Sequence, residues 1–242
     1  MGYNLTIDQG NSSAKIAVWD KEDLIFDATY QVLTIDIIKY LLTEFPSIDN
    51  AIFCSVANNG KAIVDMLRSS GIATHYLDSN TPLPITNAYK TPHTLGRDRI
   101  AAAVGAWNKH KGNDVLVIDM GTAITYDVVT SHGCYIGGNI APGINMRLDA
   151  LHNYTSRLPI VNPIGDCPLW GVDTDTAMRS GVITGVIGEI TYYKNKLHSN
   201  HKIVITGGSA VMIEGKLDFP AEVDQHLVNR GLNSILRYNE NN

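Results

Sequence analysis

The sequence predicts an α/β protein built as two related halves. The first observation is a pair of acidic-glycine turns whose aspartates, Asp8 and Asp119, stand 111 residues apart, each at the end of an apolar strand. The second is the order strand-strand-strand-helix-strand-helix, which occurs twice. The third is composition: 44% apolar and 18% charged residues suit a packed core in a chain of 242 residues, enough for one large domain or two of ordinary size.

The elements follow in order. Leu5-Thr6-Ile7 reads as the first strand and enters the turn Asp8-Gln9-Gly10-Asn11-Ser12. Lys15–Trp19 and Leu24-Ile25-Phe26 read as the next two strands, separated by a Lys21-Glu22-Asp23 turn. Ile35, Ile38, Leu41, Leu42 and Phe45 recur at helical spacing, and Pro46 closes that helix. Ala51–Ser55 has the run of a buried strand, and a helix over 59–70 ends at Gly71. Thr74–Leu77 is a strand, 78–92 a proline-bearing loop, and 98–108 a helix. Gly112-Asn113 marks the expected boundary, giving domains 1–113 and 114–242. The second half repeats the pattern with strands over 115–119, 123–129 and 134–140. Helices over 145–153 and 174–197 and the strand 203–206 follow, with Gly207-Gly208 opening a short helix. The long helix carries Gly181, Gly185 and Gly188 on one face, either for close packing within the chain or for a dimer interface.

Composition also narrows function. A net charge of −5 argues against a partner held through nucleic-acid phosphates. No 18-residue apolar run exists, so no membrane-spanning helix is expected. A strand beginning almost at residue 1 argues against a signal peptide, and the Met1-Gly2 start leaves no free arm for acylation. Cys54, Cys134 and Cys167 are widely spaced, as in a reduced cytoplasmic protein. The sequon Asn153-Tyr154-Thr155 is then never modified, and the His198/His201 pair reads as a solvated loop, not a metal site.

No P-loop, dinucleotide fingerprint or hydrolase elbow is present, so a nucleotide site must be built from the two turns. A turn glycine lets backbone and ligand approach closely. A strand-end aspartate can hold a cation, and the hydroxyls and amides beyond it can face phosphate oxygens. Between the turns lies Tyr89–Arg99, where Arg97 and Arg99 flank Asp98 at a helix start. Asp98 there is either a first-turn acid favoured by the helix dipole or a carboxylate poised as a base beside arginines for anionic groups.

Taken together, Asp8–Lys15, Tyr89–Arg99, Asp119–Ala123 and Gly137–Gly143 resemble the motifs of type III pantothenate kinase. Leu148–Leu151 with Leu158-Pro159, Gly171–Thr174 with Ala177, Met178, Ser180 and Gly181, and Thr206-Gly207-Gly208 are similar to its further motifs, in the family's order. The resemblance implies two duplicated actin/ribonuclease H-like domains with a nucleotide cleft between them. It implies ATP-dependent phosphorylation of pantothenate for coenzyme A synthesis, by a cytoplasmic homodimer. Asp8, Gln9, Gly10, Asn11, Ser12, Ser13, Ala14 and Lys15 would form the first phosphate loop, and Thr122 would contact ATP phosphate. Asp8 would help to hold magnesium through water, and Asp119 a potassium or ammonium ion. Tyr89, Gly96, Arg97, Asp98, Arg99 and Thr174 match pantothenate-site positions, with Asp98 as general base. Arg99 is the suggested partner of the substrate carboxylate, though the resemblance does not choose between the arginines. Two departures stand out: Ser12 replaces the usual threonine, and Arg97 a small residue. The second keeps open a kinase for another small hydroxy acid. A non-catalytic regulatory relative should lose Asp98 or a phosphate turn, and an actin-like assembly protein should lack the substrate motif.

Overall fold

Alternation along the first strand sets the layering of the first sheet. In the computed structural model, which describes residues 2–55, 60–197 and 201–240, Leu5 and Ile7 point to one face of β1 (Tyr3–Gln9). Asn4, Thr6 and Asp8 occupy the alternate positions of the strand. The sheet continues with β2 (Ala14–Asp20), β3 (Asp23–Tyr30), β4 (Ile48–Ser55) and β5 (Ala73–Tyr76), in the order β3-β2-β1-β4-β5. The β1/β2 and β2/β3 pairs are antiparallel, and β1/β4 and β4/β5 are parallel.

Helices α1 (Ile35–Glu44) and α2 (Lys61–Ser69) cover the apolar face, where Ile38, Leu41, Ile63, Val64 and Leu67 pack on Leu5, Ile7, Ile16 and Val18. Thr34 caps α1 by accepting from the Ile37 N–H. The expected helix over 59–70 begins at Asn59, which lies outside the described residues, as does His198 of the histidine pair. The expected loop 78–92 contains a two-residue strand, β6 (Thr86–Asn87), and is followed by α3 (Arg97–Lys109).

The second sheet repeats the plan. It uses β7 (Asp114–Met120), β8 (Ala123–Val129), β9 (Cys134–Pro142), β10 (His201–Thr206) and β11 (Glu222–Val223). The sheet has six strands in the order β6-β9-β8-β7-β10-β11; from β9 onward each stands as its counterpart does in β3-β2-β1-β4-β5, and β6 is added beyond β9. Helices α4 (Ile144–Asn153) and α5 (Thr174–Lys194) supply Ile144, Leu148, Met178, Val182, Val186 and Ile190 to its core. The short helix expected after Gly208 is a single 3-10 turn over Ala210–Met212, and α5 stops three residues before the expected Leu197.

The chain forms two units: Met1–Gly112 with Val129–Gly137 and His226–Asn242, and Asn113–Val128 with Gly138–Gln225. These differ in two segments from the halves expected at 113/114. The larger one is α6 (Leu227–Glu240), which the sequence reading missed. Asn229, Gly231 and Asn233 lie at buried positions of α6 and interrupt its apolar period. The helix joins the first unit through backbone proximity: a Cβ on Gly231 would stand 1.8 Å from the Ala101 carbonyl oxygen, and one on Gly105 2.5 Å from that of Leu227. Asn4 donates to Asn233 (3.0 Å), Asn233 to the Lys21 carbonyl (2.6 Å), and Arg237 to Glu22 (2.8 Å).

Candidate active site

In the first unit, the turn between β1 and β2 closes on a bond from the Gly10 N–H to the Ser13 carbonyl (3.0 Å). Asp8 pairs in register with Lys15 across the two strands, which places both side chains on the same face of the sheet. Asp8, Ser13 and Lys15 are half-buried, Asn11 and Ser12 are exposed, and Gln9 and Ala14 are buried beneath the turn. Asn11 and Ser12, with polar groups suited to phosphate, are therefore at the surface, above the buried Gln9 and Ala14.

Asp8 is also in register with Cys54 on β4. Burial pushes the Cys54 thiol up, and the carboxylates of Asp8 and Asp98 push it further, while Arg97 opposes them. Asp8 thus stands beside Cys54 near the carboxyl ends of the parallel pair β1/β4, with the charges of Asp98 and Arg97 felt at the same thiol. Open α/β sheets bind ligands outside such strand ends.

Asp98 lies in the first turn of α3, after an N-cap glycine that makes no side-chain capping bond. Its Oδ1 accepts the Arg99 N–H at 2.9 Å, so part of the carboxylate does serve the helix start. A Cβ on Gly96 would stand 2.5 Å from that oxygen, so the glycine leaves room for the carboxylate. Arg97 folds back, donating to the carbonyls of Pro92 (3.1 Å) and His93 (3.3 Å). Arg99 is 6% exposed, with its guanidinium carbon 5.9 Å from the centroid of the Tyr89 ring. Of the residues expected at the substrate, the structure therefore brings Tyr89, Gly96, Arg97, Asp98 and Arg99 together in one unit. It gives the two arginines different surroundings.

The second unit holds the other expected residues. Asp119, next to last in β7, is in register with Thr206 of β10. The Thr206 hydroxyl is buried without a hydrogen-bond partner. Gly207, at φ +92°, lies so close that a Cβ would come within 2.5 Å of Asp119 Oδ1. Gly121 and Thr122 form an exposed turn, and the Thr122 carbonyl accepts the Gly143 N–H at 3.1 Å. Thr174 is the exposed first residue of α5, behind an Asp173–Thr176 capping box. Backbone and hydroxyl bonds from Thr176 hold the Asp173 carboxyl below its ordinary range. Arg179, 8% exposed, donates to the carbonyls of Asn162 (2.9 Å) and Asp166 (2.7 Å) and fixes the segment before α5.

The donor sets suit the expected ions. Among the described residues, no group of three or more His, Cys, Asp or Glu could hold a metal. Magnesium needs no such cage, because it keeps much of its water and shares one or two carboxylates with phosphate. Asp119 and the unpaired Thr206 hydroxyl offer hard oxygen atoms to a monovalent cation. The sequence places Thr206 at the end of a strand and in a glycine turn; its register with Asp119 comes from strand pairing.

The family model described as type III pantothenate kinase matches residues 4–196. A type III pantothenate kinase of Bacteroides fragilis is 41% identical over 239 residues, covering 98% of both chains. One from Phocaeicola vulgatus is 42% identical over 241 residues, covering 98% of this chain and 99% of its own. Among solved structures, a Campylobacter jejuni protein described as a Baf family transcriptional activator is 26% identical at a TM-score of 0.66, covering 98% of this chain and all of that one. Component A of the Acidaminococcus fermentans (R)-2-hydroxyglutaryl-CoA dehydratase, at 12% identity and a TM-score of 0.56, covers 98% of this chain and 97% of its own and speaks for the fold alone. The two sheets have the architecture of duplicated actin/ribonuclease H-like domains.

Proposed function

The chain belongs to the type III pantothenate kinase family, and we propose that it transfers the γ-phosphate of ATP to the primary alcohol of pantothenate, giving 4′-phosphopantothenate for coenzyme A biosynthesis. The register of Asp8 with Cys54, together with the Asp98 and Arg97 charges felt at that thiol, supports this reading, because it groups the turn read as phosphate-binding with the carboxylate read as base. The turn 8–15 receives the triphosphate, with Lys15 offsetting its charge, and Thr122 contributes a further phosphate contact. Asp98 accepts the alcohol proton as the oxygen attacks the γ-phosphorus and ADP departs. Arg99 receives the pantothenate carboxylate, with Tyr89 and Gly96 shaping the substrate site. The side-chain bonds of Arg97 to Pro92 and His93 support a role in holding the loop. Asp8 would help to hold magnesium, which would supply charge neutralisation on the phosphates, and Asp119 would hold potassium or ammonium, which would add a weaker positive field.

The protein acts as a homodimer through α5. Gly181 and Gly188 are exposed, and a Cβ there would meet nothing within 4 Å, while one at Gly185 would meet only the Arg147 side chain at 3.8 Å, so intrachain packing uses little of this face. Leu169, Trp170 and Val172, 76%, 81% and 88% exposed, add apolar surface just before the same helix. The free thiols of Cys54, Cys134 and Cys167 support a reducing, cytoplasmic location. No described helix is long and apolar enough to cross a membrane.

The test is ATP-dependent turnover of pantothenate against a panel of small hydroxy acids, with the wild type and Asp98→Asn. Pantothenate should be the preferred acceptor. The variant should lose about 10²–10⁴-fold in kcat and still bind ATP. Equal use of other hydroxy acids would move the substrate assignment, and a wild-type rate in the variant would leave Asp98 a helix-start acid only.

A further inference from the structure

Tyr89 is held by a set of contacts for which the proposed mechanism has no use so far. Its ring centroid lies 6.2 Å from that of Tyr135, at an interplanar angle of 51°. Tyr135 is fully buried in β9, so its ring is a fixed surface. On the same ring of Tyr89 rests the Arg99 guanidinium, 5.9 Å from the centroid. Gly137 completes the seat. It lies at φ +126°, where side chains are strained, and a Cβ there would meet the Tyr89 ring at 3.7 Å.

The backbone is tied to the same strand. Asn87 of β6 pairs in register with Tyr135. The Thr86 N–H donates to the Gly133 carbonyl (2.8 Å) and the Ala88 N–H to that of Tyr135 (3.0 Å). The Asn87 side chain then accepts the Tyr89 N–H at 3.0 Å and turns the chain so that the ring meets Tyr135. A two-residue strand contributes little sheet stability, yet it fixes where the tyrosine leaves the ladder.

We infer that Tyr135, helped by Asn87, is a positioning residue for carboxylate recognition: it fixes the Tyr89 ring that in turn holds the Arg99 guanidinium in place. A guanidinium is attracted to an aromatic face, and that attraction strengthens when water is excluded. Arg99 is 6% exposed, so its orientation depends on what packs against it. A planar fork pairs well with a carboxylate only in a set orientation. The inference rests on the proposed roles of Tyr89 and Arg99 and deepens them. It adds a residue that touches neither substrate nor nucleotide.

The experiment compares pantothenate with pantothenol, which lacks the carboxylate, in Tyr135→Leu, Tyr135→Phe, Asn87→Ala and Arg99→Ala. Wild type should prefer pantothenate. Tyr135→Leu and Asn87→Ala should raise the pantothenate KM about tenfold, within the range of a desolvated cation–π contact. The pantothenol and ATP KM should hold. Tyr135→Phe keeps the ring and should restore the preference. Asn87 is only half-buried, so its truncation tests the idea even where Tyr135→Leu fails to fold. If Arg99→Ala abolishes the preference while Tyr135→Leu or Asn87→Ala retains it, the positioning role is wrong and the Arg99 assignment stands. If Arg99→Ala leaves the preference intact, both fall. Equal losses with pantothenate, pantothenol and ATP would make Tyr135 a structural residue only. Phe acting like Leu would refute the ring as the working part.

Discussion

Replacing Gly231 by alanine tests the link between the C-terminal helix and the proposed base. The added Cβ would lie 1.8 Å from the Ala101 carbonyl oxygen, 2.6 Å from its carbon and 3.0 Å from the Gly105 nitrogen. All three are backbone atoms, so no side chain can swing aside. An ordinary carbon–oxygen contact lies near about 3.3 Å, so α6 must retreat from α3 by about 1.5 Å. Overpacking of this kind costs about 1–3 kcal/mol, and a backbone clash belongs at the upper end. Alanine regains about 1 kcal/mol over glycine in a helix interior. The net expectation is a loss of about 2 kcal/mol. With a urea slope near about 3 kcal/mol/M for a chain of this size, the midpoint should fall by about 0.7 M. Because Asp98 and Arg99 ride on α3, kcat/KM should fall even under conditions where the variant is fully folded. A urea midpoint equal to or above wild type would refute the packing, and full activity at a lowered midpoint would refute its coupling to the site.

Asp119→Ala should weaken the stimulation of turnover by potassium or ammonium; full wild-type activity in a sodium-only buffer would remove the cation role. Gly185→Leu should shift sedimentation toward monomer by holding two α5 helices apart; a variant that stays dimeric places the interface elsewhere. Glu240, exposed at the end of α6, is pushed above the usual carboxylate range by partial desolvation and by Asp49, with Arg237 and His75 opposing. A folded pKa above the unfolded one means that its contribution to stability is present below the ordinary carboxylate range and is lost as pH rises through the folded value. Glu240→Gln should therefore raise the urea midpoint at neutral pH and lose that advantage in acid; a lower midpoint at neutral pH would contradict the sign.

The places of the candidate site residues in the fold were legible because the elements that carry them are short and local, while their roles came from the family resemblance. Asp8, Asp119 and Asp98 each sit where a strand ends or a helix starts, and periodicity alone locates those points. The same holds for α1, where apolar spacing and Pro46 agree and the structure adds a Thr34 cap. Arg97 and Arg99 illustrate the opposite case. They are two residues apart and chemically identical, and the sequence left their roles open. The structure parts them, one bonded to loop carbonyls and the other buried against Tyr89.

The sequence by itself determined the α/β class, the paired turns and the strand-end position of the acidic residues. Those properties rest on periodicity and turn chemistry, which act within a few residues. Only the tertiary structure decided that α6 joins the first unit, that β6 extends to β9 beneath Tyr89, and that Thr206 stands beside Asp119. Each of these unites segments far apart in the chain, through glycines that permit close approach or through strand register. Neither leaves a local periodic signal, because the partner that gives the residue its meaning lies elsewhere in the sequence.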